Sequence, residues 1–542
     1  METDVVIIGS GAAGLTLSLA LSEKGVANIV VEAGPEKFSK AAQELFRAAS
    51  IDPEAHGPVH MYRRRALGGT TAIWGGRCIP FDPIDFEDRP WIPNAKWPVS
   101  YDEIASYYPR ALEVCRAGAP SFDAENALPG EPGALIDGVN SRDVILNRIE
   151  RFSEPTHFGN AYRKRLEESK FATIVVGAAV TRIDCTDQGA RCLGVTARTP
   201  HGDFSIRAQR TVIAAGALET ARLLLASNQS ISCGLGNQHD LVGRYYQSHL
   251  EGEVGEIQFS APPEDVRLDY QRTCEGVYVR RYLWLSPEAQ RREQLCGLIA
   301  RPYHANIVDP QHRNPVLSAM YLVKSLIVAE YSRKLTSTEQ QVRAAFGGRQ
   351  AALAAAHVGN VLRHPLALAH FSVDWTRRRI LATRKLPSVV LRDPRNRYPL
   401  DINAEQAPNF DSRVELSDER DKLGIPMLAI RWRMTADDRD RIARGVETMR
   451  RAMATSPFVS MEVEDLEARV SDLARVGGHH IGTARMASVP QEGVVDADCA
   501  VFGTQGLFVS GSAAFPTSGF ANPTLTIVAM ALRLGDHLRK SP

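Results

Sequence analysis

The stretch DVVIIGSGAAGL, Asp4–Leu15, and the run ANIVVEAG, Ala27–Gly34, read together as strand, helix, strand. The β-branched residues Val5 to Ile8 lead into Gly9, Gly11 and Gly14, a helical pattern follows from Leu15 to Ser22, and a second apolar strand closes on Glu32. Gly9 permits a tight turn, Gly11 lets the backbone approach a pyrophosphate, and Gly14 lets helix and strand pack closely, while the helix N-terminus faces the negative charge. Glu32 is placed to accept hydrogen bonds from both ribose hydroxyls of an adenosine and would repel a 2′-phosphate. The pattern predicts a dinucleotide-binding βαβ unit and does not separate NAD from FAD.

A chain of 542 residues, 44% of them hydrophobic, is long enough for two or more cores. Its formal charge of +1 gives no global reason to bind nucleic acid. The eight cysteines are scattered without a CxxC pair or zinc-like spacing, which argues against a structural metal and suits a reducing compartment. The first residues run straight into an apolar strand with no basic leader, so the cytoplasm is expected.

Three further stretches carry the functional signal. RRRALGGTTAIWGGRCIPFDPIDF, Arg63–Phe86, sets a large aromatic, Trp74, among paired glycines, which a linker rarely does. TVIAAGALETARLLLAS, Thr211–Ser227, reads as a strand, a small-residue turn at Ala215 and Gly216, and an amphipathic helix. GLFVSGSAAFPTSGFANPTLTIVAMALRLGDHL, Gly506–Leu538, reads as a strand to Gly511 and a helix beginning near Pro523. Local rules make Asn522 the N-cap of that helix, since proline suits the first helical position.

With RVGGHHIGTARMA, Arg475–Ala487, these motifs resemble the glucose-methanol-choline (GMC) oxidoreductases, a family of FAD-dependent alcohol oxidases and dehydrogenases. The resemblance covers roughly the first 255 and the last 70 residues, in the family's order. It implies an α/β chain: a Rossmann-like, glutathione-reductase-type FAD-binding domain at 1–255 and 475–542, and an α+β substrate domain on an antiparallel sheet at 256–474. Gly9, Gly11, Ala13, Gly14, Glu32 and Ala33 would hold the ADP half of FAD. Gly68, Gly69, Thr70 and Thr71 would follow the pyrophosphate and ribityl chain, with Trp74 and Gly75 nearer the isoalloxazine. Val180 would touch the adenine edge, though it also reads as a buried strand residue. Ala215, Gly216, Gly511 and Ser512 would line the cofactor, and Pro523 and Thr524 would open a helix whose N-terminus stabilises the reduced, anionic ring.

The family's base, a histidine two residues before Gly-Thr, aligns with His479 and leaves His480 out of register. In an extended backbone the two side chains point to opposite faces, so only one can face the flavin. The family's second active-site residue falls on Asn522. An imidazole that accepts the alcohol proton, helped by a second donor, would offset alkoxide charge as hydride leaves for flavin N5. His249, Arg485 and Met486 are further candidates for which ordinary structural roles are expected.

Within 256–474 the runs EGVYVRRYLWL and PMLAIRWRM alternate as strands, EQAPNFDSRVELSDERDKLG reads as a hairpin connection, and a helix capped by Thr435 or Asp437 follows. A basic helical insertion is expected at about 316–385, with eleven Lys and Arg against Glu330, Glu339 and Asp374 and no stretch long enough to span a bilayer. It reads as a lid or ordinary packing first, then as a protein interface or a peripheral lipid contact. The expected activity is oxidation of a hydroxyl, in a sugar, glycoside, aminosugar or other polyol, with oxygen, a quinone or another carrier as acceptor. A flavin-bearing hydroxynitrile lyase and a non-enzymatic partner-binding flavoprotein are the rival readings.

Members with covalent flavin often carry a histidine or cysteine in the loop where this chain has Ile73. Isoleucine has no nucleophile, so the FAD is predicted to be noncovalent. Acid precipitation should therefore give a colourless pellet and a yellow supernatant; a pellet that stays yellow would contradict it.

Overall fold

A computed structural model describes residues 1–53, 55–154, 156–323, 350–473 and 478–540. Strand Glu2–Ile8 pairs in parallel with Asn28–Glu32 on one side and with Gly202–Ile213 on the other. Asn28–Glu32 is buried along its whole length, as a strand covered on both faces must be. Ala172–Val176 adds a further parallel strand, and the early part of Gly202–Ile213 turns antiparallel to Cys192–Thr199, which pairs with Ala179–Cys185. Leu507–Val509 joins the end of Gly202–Ile213 in parallel and completes a seven-stranded sheet.

The helix between the first two strands, Ala12–Ser22, buries nine of its residues, so it is covered by more than the sheet. Its partner is the C-terminal helix Thr524–Lys540. At Gly535 an added Cβ would stand 3.0 Å from the Cβ of Ala20 and 3.4 Å from Leu17, so the absent side chain sets the approach of the two ends of the chain.

A six-stranded sheet, antiparallel throughout, runs in the order Val459–Glu462, Leu250–Phe259, Arg397–Ala404, Leu298–Pro302, Leu283–Leu285, Val144–Ile145. Arg77–Cys78 pairs with Ile149–Phe152, which pairs with Tyr278–Arg281, and Gln271–Arg272 on the other side of that strand completes a four-stranded sheet. Early residues thus pair with the middle of the chain, and position 255 lies inside the strand Leu250–Phe259. The position 474/475 lies outside the described residues.

Local expectations fare unevenly. Thr435 caps the helix Ala436–Met453 through a reciprocal capping box with Asp438. The run EGVYVRRYLWL breaks at Tyr282 into two strands that serve different sheets. The supposed hairpin connection is loop over 405–412, but Arg413–Arg420 is itself a strand, paired with Pro426–Arg431 across the turn between them. Its charge misled because the strand is largely exposed at its far end, where polar residues suit the ladder.

Much of the basic insertion, 324–349, lies outside the described residues. Helix Gln350–Arg363 packs by Leu353 on Pro315–Leu322, whereas Pro365–Trp375 buries none of its residues and leaves Leu366 84% and Val373 71% exposed. Among the described residues no helix is long and apolar enough to cross a membrane.

Replacing Gly535 by Leu should cost about 1–3 kcal/mol through overpacking against Ala20. Gly359, where an added Cβ meets nothing within 4 Å, should tolerate alanine and gain up to about 1 kcal/mol of helix propensity. Thermal midpoints of the two variants should move in opposite directions.

Candidate active site

At the carboxyl ends of the parallel strands a cavity of about 270 Å³ opens between Ile8, Val31 and Ala214. All of the cofactor residues expected from sequence line it except Gly14, Gly68 and Gly75. Gly14 works from behind: its added Cβ would fall 1.9 Å from the carbonyl oxygen of Gly9, so it sets the close approach of helix and turn. Gly68, at φ +89°, packs against Gly159, and at Gly75 an added Cβ would meet nothing within 4 Å. Gly11 likewise has open space where its Cβ would stand. A turn closed behind and open in front fits a pyrophosphate drawn up to a helix N-terminus.

Glu32 is nearly buried and accepts three hydrogen bonds, from Ser10 N at 3.0 Å, Ser10 Oγ at 2.6 Å and Gly34 N at 2.7 Å. Burial pushes its carboxyl up, and the Ser10 and Gly34 bonds pull against that rise. The Ser10 hydroxyl also accepts from Gly68 N at 3.1 Å, tying the second glycine loop to the first.

Sequence reasoning missed the charged wall. Arg63, Arg64 and Arg65 line the cavity with Glu219 and Arg222. Arg63 donates to Glu219 at 2.8 Å, and Arg222 donates to Asp421 at 2.8 Å and to Glu219 at 3.3 Å. Burial pushes the Glu219 carboxyl up, but Arg222 and Arg63 outweigh it and hold it down at about 2. The arginine run was visible inside a motif read for its glycines; that helix Ala217–Ala226 turns Glu219 and Arg222 toward it was not. With guanidinium groups on one side and a buried carboxylate at the ribose end, the donor set suits an adenine dinucleotide.

The two histidines part company. Ile481 and Gln247 exchange backbone hydrogen bonds of 3.0 Å, so the segments around 247 and 481 run antiparallel. Two residues along from that bridge on each strand stand His479 and His249, on one side of the ladder. Gly482, at φ +88°, lets the chain turn where a Cβ would fall 2.4 Å from the Tyr245 carbonyl. Thr483 Oγ1 donates to the Ala217 carbonyl at 2.6 Å. Gly482, Ala484 and Met486 donate their amides to Ser512, Ala513 and Ala514 at 2.8–3.0 Å. The Gly-Thr of the motif therefore clamps the histidine segment to the strand end beside the cavity.

His479 lines the cavity, and the Asn522 amide donates from Nδ2 to its Nε2 at 3.1 Å. The Asn522 Oδ1 accepts no hydrogen bond, so Asn522 does not act as the cap that local rules assign it; its side chain turns to the histidine instead. On the far side, His479 Nδ1 lies 2.8 Å from His249 Nδ1 and 3.4 Å from Glu251 Oε1. His249 Nε2 donates to the Ser518 carbonyl at 3.0 Å. These three side chains offer ligand atoms within 4.8 Å of one another, a spacing that could suit a cation, but the direct imidazole contact already accounts for the cluster.

His480 also borders the cavity but joins another chain: its Nδ1 is 2.6 Å from Tyr246 Oη, which is 2.7 Å from His56 Nε2, and His56 Nδ1 is 2.6 Å from the Gly57 carbonyl. Burial pushes His56 down to about 4 and His480 well below the usual histidine range, which keeps both neutral. Arg485 stacks on Tyr245 at 4.4 Å and Met486 is fully buried, in keeping with structural roles.

Comparison with known proteins bears on this geometry. Residues 4–233 match the family described as FAD dependent oxidoreductase, and residues 408–531 match GMC oxidoreductase. The chain is similar to paromamine 6'-oxidase of Streptomyces fradiae, 22% identical over 98% of this chain and 90% of that one. It is similar also to 2-methyl-1,2-propanediol dehydrogenase of Mycolicibacterium austroafricanum, 23% identical over 99% and 95%. The crystal structure of pyridoxine 4-oxidase from Mesorbium loti shares the fold, with a TM-score of 0.51 and 18% identity over 99% of both chains. The cavity, its glycine turn and the two matching segments around it lead to one conclusion: the chain belongs to the GMC oxidoreductases and is an FAD-dependent enzyme.

Proposed function

We propose that the enzyme oxidises a hydroxyl-bearing molecule, a sugar, glycoside, aminosugar or other polyol, with His479 as general base and Asn522 as second donor. The observation that carries this reading is the 3.1 Å contact between Asn522 Nδ2 and His479 Nε2 beside a cavity suited to FAD. A substrate hydroxyl inserted between the two would donate to Nε2 and accept from Nδ2, so the same pair that bond each other in its absence would grip its oxygen. Bound FAD supplies the two-electron acceptor for the hydride. His479 takes the hydroxyl proton, and Asn522 holds the oxygen while negative charge develops on it. Burial of His249 and His480, which flank His479, limits the water that competes for that charge.

The names of the relatives support a hydroxylated substrate: one is a 6'-oxidase of paromamine, the other a dehydrogenase of a diol. One name is an oxidase and the other a dehydrogenase, so the acceptor is for assay to assign. The FAD-binding part comprises 1–255 and 475–542 and the substrate-binding part 256–474 in this reading. Attachment of FAD is noncovalent, since Ile73 offers no nucleophile. Eight free cysteines support a reducing compartment, the cytoplasm.

Anaerobic mixing with sugars, aminosugars, glycosides and simple alcohols should bleach the flavin with a true substrate, and oxygen or a quinone should restore its colour. His479→Ala should retain FAD yet slow the bleaching by roughly 10²–10⁴-fold. Wild-type bleaching in that variant would remove the assignment, and product formation without any bleaching would point to lyase chemistry.

A further inference from the structure

His479 has two ring nitrogens, and only the one without a proton can act as a base. As placed, the Asn522 amide donates to Nε2, but a carboxamide turned end over end would accept there instead, so that contact alone does not fix the proton. The decision lies on the other side of the ring. A carbonyl oxygen only accepts, so the 3.0 Å contact from His249 Nε2 to Ser518 O requires a proton on that nitrogen. A neutral His249 then carries a lone pair on Nδ1. Burial, with His479 alongside, pushes His249 down to about 3, so it is neutral throughout the working range. That lone pair faces His479 Nδ1 at 2.8 Å, and only an N–H on His479 can satisfy it.

We propose that His249 is a positioning residue that fixes the tautomer of His479, placing its proton on Nδ1 and leaving the Nε2 lone pair toward Asn522 and the substrate. The inference rests on the reading of His479 as the base. Glu251, 3.4 Å from the same Nδ1, is a second acceptor for that proton and supplies negative charge when Nε2 takes up a second one. Its strand neighbours the same antiparallel ladder, so one short run, His249 to Glu251, addresses the back of the ring twice.

The neighbouring histidine offers a contrast within the same motif. From the Gly57 carbonyl through His56 and Tyr246, the same logic puts the proton of His480 on Nδ1. Its Nε2 is buried without a hydrogen-bond partner and makes no contact with Asn522. Two carbonyl-anchored chains therefore order two adjacent imidazoles alike, but only His479 presents its free nitrogen to another polar side chain.

The test uses the FAD-loaded enzyme and three variants. His249→Leu removes the acceptor at similar volume, and His249→Asn keeps an oxygen near the place of Nδ1. His249→Leu should slow anaerobic flavin bleaching at least about 10-fold, less than the roughly 10²–10⁴-fold for loss of the base itself, because Glu251 remains. His249→Asn should recover most of that rate. In ¹⁵N-histidine-labelled protein, the His479 signals, identified by their absence from His479→Ala, should report an N–H at Nδ1 in the wild type and a shift toward the Nε2–H form in His249→Leu. A structural role alone would alter stability and FAD content without moving that signature or being rescued by asparagine.

A wild-type His479 that carries its proton on Nε2 overturns the proposal, even if His249→Leu fails to fold. Wild-type bleaching in a folded His249→Leu overturns it as well. Normal bleaching in His479→Ala is a different failure, since it removes the base and leaves the measured tautomer standing.

Discussion

The parallel pairing of Leu507–Val509 with Thr211–Ile213 is the contact on which the site depends. It joins a strand from the last tenth of the chain to the sheet begun at residue 2. Beyond that strand, Ser512 to Ala514 accept the amides of Gly482 to Met486 and so hold the histidine segment. Further on, Asn522 reaches His479 just before the helix that packs on Ala12–Ser22. Loss of this pairing would separate His479 from Asn522 and the C-terminal helix from the nucleotide turn.

Close approach is the second constraint, and glycine meets it at a few decisive places. Gly14 and Gly482 stand where a Cβ would fall within 2.4 Å of a carbonyl oxygen, one behind the phosphate turn and one behind the histidines. The first lets a helix N-terminus reach an anion. The second lets two antiparallel segments meet so that His249 and His479 fall on one side.

Electrostatics divides the site into a charged half and a neutral half. Around the dinucleotide end, Arg63, Arg222, Glu219 and Asp421 form an ion network that a pyrophosphate can join. Around the reacting end, burial keeps His56, His249 and His480 uncharged, so their ring nitrogens act as fixed donors and acceptors. A proton can be managed there without competing charge from these three rings, which is what a hydroxyl oxidation needs as negative charge builds on oxygen.

The βαβ unit, the glycine turn, Glu32, the capped helix at Thr435 and the helix after Pro523 were legible in sequence, because each follows from spacing and residue type within a few neighbours. The cap reading of Asn522 failed for the opposite reason: local chemistry favoured it, and a distant partner, His479, overrode it. Arg63 and Glu219 are 156 residues apart, and His249 and His479 are 230 apart. No spacing rule joins such pairs; the register of two strands and the twist of one helix do. Sequence by itself determined the nucleotide fold and which imidazole stands in the Gly-Thr motif. Only the tertiary structure decided what lies behind that imidazole, because a hydrogen bond is made by proximity in space and the chain fixes proximity only once it has folded.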